Sequence, residues 1–163
     1  MQNVDSFLDS IISSRGCYRF SEKFFQDNPK EKGRLDSGTG NMIVSNIFDN
    51  SPEVFCDNKK DDVNYIKLTG RAHNQRVERY ILRNWVQENN FLDCFNVLLT
   101  EANNSGAFGE TLTPSLIAGP REGATDTFIS IGTFKTESEA INAAKYLKTK
   151  IARALLGVKK ATQ

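Results

Sequence analysis

At 163 residues, with 39% apolar and 25% charged side chains, the chain suggests one soluble globular domain with room for a sizeable core. No apolar run approaches the ~18 residues of a membrane span, and no basic segment followed by an apolar one marks a signal peptide. The net charge of +1 is too near neutral to identify a polyanion partner by itself.

That small total conceals an uneven distribution. Residues 1–66 carry 8 Lys/Arg against 11 Asp/Glu, a net of −3, whereas residues 67–163 carry 13 against 9, a net of +4. The densest basic run is residues 67–83, where five basic residues and His73 meet a single acid, Glu78. A polyanion would meet that half of the molecule. Cys17, Cys56 and Cys94 form an odd, scattered set without a CxxC pair. Such a set suits reduced thiols and a cytoplasmic setting.

In chain order, residues 4–13 carry Val4, Phe7, Leu8, Ile11 and Ile12 at helical spacing, and Ser13-Ser14-Arg15-Gly16 breaks the pattern. Residues 17–20 suit a short strand, and residues 27–40 are a polar stretch rich in turn formers, expected to be a surface loop. A strand is expected at 42–48, followed by a polar connection over 50–62. Residues 63–69 and 76–83 read as two strands joined by the six-residue loop Gly70-Arg71-Ala72-His73-Asn74-Gln75. Val77, Ile81 and Trp85 repeat every four residues, which would also suit a helix over 76–85; strand is the preferred reading. A helical turn near 91–93 leads to a strand at 95–100, then a small polar loop over 101–111 and a short strand at 114–118.

The C-terminal stretch is the most patterned. Residues 127–134 are β-branched and aromatic, as a half-buried strand requires. Thr136 precedes Glu139 by three positions, the capping-box spacing that satisfies two backbone N–H groups at a helix start. Ala140, Ala144, Leu147, Ile151, Ala154, Leu155 and Val158 then form one apolar stripe at ~100° per residue. Lys145, Lys148 and Lys159 share one flank of it. The stripe reads as core packing and the lysines as a solvated edge that could also face phosphate. The expected fold is α+β: a mixed sheet of about six strands, with an N-terminal helix and a long C-terminal helix.

Catalytic chemistry is sparse. One histidine and three isolated cysteines do not make a zinc site, and nothing places a nucleophile beside His73. Gly38-Thr39-Gly40 lacks the rest of a dinucleotide fingerprint, and the glycines around Phe108 lack the Lys–Ser/Thr of a P-loop. Asp57-Asn58-Lys59 with Glu53 upstream has the spacing of a Mg²⁺ nuclease element, but not the apolar strand that would hold it. Binding chemistry is better represented. Arg71, His73, Asn74, Gln75, Arg76 and Arg79 place guanidinium and amide groups on one loop and strand, the groups that pair with guanine and adenine edges. Asn103, Asn104 and Ser105 offer a second such loop, and Arg15 and Arg19 could clamp phosphates.

Three pieces of the C-terminal part resemble a known family. They are Val97-Leu98-Leu99-Thr100-Glu101-Ala102, the strand Thr125-Asp126-Thr127-Phe128-Ile129-Ser130-Ile131-Gly132-Thr133-Phe134, and a final set comprising Glu137 with Glu139-Ala140, Tyr146-Leu147-Lys148-Thr149-Lys150, Arg153, Leu155 and Lys159-Lys160-Ala161-Thr162-Gln163. These are similar to the C-terminal part of adenine-specific DNA methyltransferases of type II restriction–modification systems, including those fused to a nuclease. The strand matches that family's T-E-T-Y-L-V-I-G-x-F. The final set is similar to its E-E-A and Y-x-K-T-K-F-x-R-x-L followed by K-x-T-Q, departing just after K-T-K, where a Phe is common. Ile12-Ser13-Ser14-Arg15 and Ile66-Lys67-Leu68-Thr69-Gly70 are weaker echoes.

The resemblance implies a single target recognition domain over 1–163, excised from or truncated relative to a larger enzyme. It would bind double-stranded DNA and work with a catalytic methyltransferase domain in cis or in trans. The Asn-Pro-Pro-Tyr/Phe motif and the S-adenosylmethionine site belong to that upstream domain; Asn28-Pro29-Lys30 is no substitute. The chain itself would then hold no catalytic residue, cofactor or metal. Residues 71–79 and 101–111 would face base edges, while Arg15, Arg19, Lys148 and Lys150 would neutralise phosphates. The competing readings are a small Mg²⁺-dependent endonuclease using Glu53, Asp57 and Lys59, and a protein–protein subunit docking through a helix over 136–160.

Overall fold

The computed structural model describes residues 11–35, 38–60, 63–100, 114–149 and Ala152. Among them the class is α+β, with three α-helices and six strands. The helices are α1 (Glu22–Asp27), α2 (Ile47–Asn50) and α3 (Glu137–Leu147). The strands are β1 (Tyr65–Ala72), β2 (Gln75–Leu82), β3 (Phe95–Thr100), β4 (Leu116–Ala118), β5 (Glu122–Ala124) and β6 (Phe128–Phe134).

The expected single sheet is divided into two three-stranded sheets, ordered β2-β1-β5 and β4-β3-β6. The division occurs at the corner joining β5 to β6. Thr125 donates its N–H to Thr69 and ends the β5 side, the Asp126 N–H turns away to Ile43, and the Phe128 N–H closes the corner on Thr125. The chain then enters β6 antiparallel to β3. Only the first sheet is mixed, because β5 runs parallel to β1 while β2 is antiparallel to it.

Each sheet has its own core. On the first, Ile66, Leu68 and Ile81 are fully buried against Tyr18, Phe20, Phe24, Ile43, Ile47 and Phe48. On the second, Val97, Leu99 and Ile131 project to one face and meet Ala140, Ala144 and Leu147 of α3. These three helix positions are the first turns of the expected stripe. The capping box is formed: Thr136 Oγ1 accepts from the Glu139 N–H, and the Glu139 carboxylate accepts from the Thr136 N–H. Lys148 follows as the C-cap, where a cation suits the helix dipole. Ile151, Ala154, Leu155, Val158, Lys150 and Lys159 lie outside the described residues, as does most of the expected helix over 4–13. The end of that segment pairs with β6 through an Ile12–Ile131 bridge.

Several local expectations are corrected. Residues 17–20 form only the isolated bridges Arg19–Met42 and Phe20–Val86, because successive residues pair with two different segments and no ladder extends along either. Residues 42–48 are not a strand: Ile43, Ile47 and Phe48 are buried at helical spacing, and α2 begins at Ile47. The loop expected over 27–40 contains a 3₁₀ turn, Pro29–Glu31, and buries Glu31 and Leu35. Helix α1 was not expected. Ser21 caps it by accepting from the Phe24 N–H, and Phe24 stacks on Phe20 with centroids 4.1 Å apart. Lys23 and the Trp85 indole both donate to Asp27, at 2.6 and 2.9 Å, and together they hold its carboxyl below the usual aspartate range. Strand β5 has no local signal in the sequence, since Glu122-Gly123-Ala124 has no β-branched or aromatic residue.

Candidate nucleic-acid interface

The basic run folds into the β1–β2 hairpin with nearly the expected strands, but its loop is much tighter than expected. Ala72 pairs with Gln75, leaving a two-residue turn of His73 and Asn74. Both lie in the left-handed region, at φ 49° and 63°. That is the type I′ arrangement, whose twist matches the flanking strands. Asp49 of α2 braces the turn: its two carboxylate oxygens accept from the His73 N–H at 3.1 and 3.3 Å. The His73 ring itself is 92% exposed, with Nδ1 3.5 Å from the same carboxylate.

Below the turn, Gly70 permits a close approach. A Cβ there would lie 2.6 Å from both the Phe48 ring and the Thr125 methyl. The root of the hairpin is thereby seated on α2 and the β5–β6 corner. The β5 ladder reaches only Lys67, Leu68 and Thr69 of β1, so the hairpin beyond Thr69 is a two-stranded ribbon.

Strand alternation sorts the cations. Arg71 and Arg76 are directly opposed and share one face, whereas Arg79 sits opposite Leu68 on the other. Arg71 donates from Nη2 to the Asn74 carbonyl and Oδ1, at 3.4 and 3.3 Å. The Arg76 guanidinium lies over the Phe128 ring, 5.7 Å from its centroid. Arg79 is turned away to Asp57, with Nε 3.1 Å from its carboxylate. On the Arg71 face Lys67 is taken by Glu122 at 2.7 Å and Glu78 at 3.4 Å; partial burial alone would lower its pKa, but these carboxylates raise it.

The structure therefore brings together Arg71, His73, Asn74 and Arg76, and leaves Arg79 outside the group. Arg15 and Arg19 are separate from it as well. Arg15 pairs with the buried Asp126 at 3.0 Å, and Arg19 donates to the Gly40 carbonyl. Both contacts tie these side chains to the protein's own loops. Lys148 is exposed at the end of α3, while Asn103, Asn104, Ser105 and Lys150 lie outside the described residues. The supporting residues Asp49 and Phe128 carried no signal in the sequence, because each reaches the hairpin from a distant segment.

The competing sites find less support. Asp57 is committed to Arg79, Lys59 lies over the Tyr80 ring, and no group of three His, Cys, Asp or Glu among the described residues could hold a metal ion. On α3 the exposed apolar side chains are Ile141 and Tyr146, five positions apart and so on different faces. No helix among the described residues is long and apolar enough to cross a membrane. No family model matches the chain, and no curated protein or solved structure matches it either.

Proposed function

We propose that this chain is a DNA target recognition domain of an adenine-specific methyltransferase from a restriction–modification system, with no catalytic group of its own. The observation that carries the reading is the β1–β2 ribbon. It is two-stranded at its end, braced at its root, and exposes Arg71, His73, Asn74, Gln75 and Arg76 together. A ribbon of two strands fits the B-DNA major groove, ~12 Å wide, and strand readers of this kind are a known mode of duplex recognition. Asparagine pairs bidentately with adenine, and arginine pairs so with guanine or with phosphate. The motifs over 97–163 supply the methyltransferase part of the proposal.

The tip is cationic and open, which suits a polyanion. By the same resemblance the methyl donor, S-adenosylmethionine, is assigned to a separate catalytic domain, in cis or in trans, into which the target adenine would be rotated. Lys148, exposed beyond α3, is assigned to the DNA backbone. Selection of bound duplexes from a random-sequence pool tests the reading. One enriched motif is expected; salt-sensitive binding with no enrichment would leave a nonspecific DNA binder and reject target recognition.

A further inference from the structure

The opposed arginines of the hairpin are an unusual pair. Directly opposed residues have Cβ atoms ~4.5–5.5 Å apart, and like charges so placed weaken a hairpin. Several other cations of the chain have carboxylate partners: Asp126 for Arg15, Glu31 for Arg34, Asp57 for Arg79, Glu88 for Arg83, and Glu122 with Glu78 for Lys67. Among the described residues, neither Arg71 nor Arg76 has one. Glu78, which follows on the same face, is held by Lys67, and Asp49 is directed to the turn amide. The contacts that Arg71 does make with Asn74, at 3.3 and 3.4 Å, are longer than a well-formed hydrogen bond.

We propose that Arg71 and Arg76 form a clamp for a single phosphate oxyanion, and that filling it releases Asn74 to read a base. The proposal rests on the DNA reading above for the source of that phosphate. One anion between two guanidiniums cancels their repulsion and accepts charge-assisted, bidentate hydrogen bonds from them. Turning Arg71 toward the anion gives up only its two long contacts to Asn74. Asn74 Oδ1 is then available as an acceptor beside its own amide donors, the combination that matches adenine N6 and N7. Backbone capture and base reading are thereby coupled through one side chain, and each strengthens the other.

Two measurements on the full chain test this. Inorganic phosphate, titrated at low ionic strength against a chloride control, is expected to shift the NMR signals of Arg71, Arg76 and the Asn74 side-chain amide saturably. R71A and R76A should each abolish saturation, with the thermal midpoint of R71A unchanged or raised because the repulsion is gone. Shifts that match chloride, or saturation that survives both substitutions, would overturn the clamp. In the second measurement, duplex affinity is followed against salt. The R71A/R76A double variant should flatten the slope by about 1, the loss of one phosphate, and each single variant should flatten it by nearly as much. A flattening of about 2 would mean two separate phosphates and overturn the shared clamp, leaving DNA binding intact. Saturable phosphate binding without salt-dependent duplex binding would instead support the clamp and reject DNA as its source.

Discussion

Replacement of Phe24 by alanine is expected to lower stability by about 3–5 kcal/mol, the range for removing a buried aromatic ring. Phe24 is fully buried, stacks on Phe20 at 4.1 Å, and meets Phe25 and Trp85 edge to face at 5.1 and 5.5 Å. Helix α1 has six residues, too few to be stable without tertiary packing. Phe24 is the buried residue of that helix, so the truncation acts on its main anchor. The same cluster steadies the end of the hairpin, because the Ser21 hydroxyl and N–H donate to the carbonyls of Asn84 and Trp85, just past β2. Urea unfolding would show the loss as a lower midpoint at unchanged slope. A change below about 1 kcal/mol would mean that α1 is not part of the cooperative core.

The second large effect is on recognition and should leave stability intact. Changing His73→Asn together with Asn74→Gly installs the most favourable type I′ pair at a turn that already has both φ values positive. The brace from Asp49 is to the His73 backbone N–H, so it survives the substitution. The expected outcome is equal or higher thermal stability with a loss of about 1–3 kcal/mol of discrimination at the contacted base pair. Competition between the selected duplex and a scrambled one measures it. Unchanged discrimination in a stable variant would remove the turn from the reading surface.

Local chemistry was the legible part of this chain. Strand β3 declares itself as a short apolar run and the Thr136–Glu139 capping box by its spacing, and β1, β2 and β6 are displaced by only a few residues. The tight turn was hidden because His-Asn lacks the usual Asn-Gly signature, although Asn tolerates the left-handed region. The run Ile43-Val44 with Ile47-Phe48 is short and apolar, and such runs suit strand or helix equally until their neighbours are known. Division into two sheets depends on the hydrogen bonds of Thr125 and Asp126 to distant residues, which no local pattern contains. At the site, the basic run was visible, and strand alternation alone separates Arg76 from Arg79. The carboxylates that withdraw Arg15 and Arg79 come from remote segments, so the sequence overstated the number of available cations.

The most direct measurement is NMR mapping of the full chain with the duplex selected from the random pool. Placement of DNA on the β1–β2 ribbon requires the largest backbone amide shifts at residues 70–77, diminishing as salt is raised. Shifts confined to α3 around the exposed Tyr146, with the hairpin tip undisturbed, would contradict it.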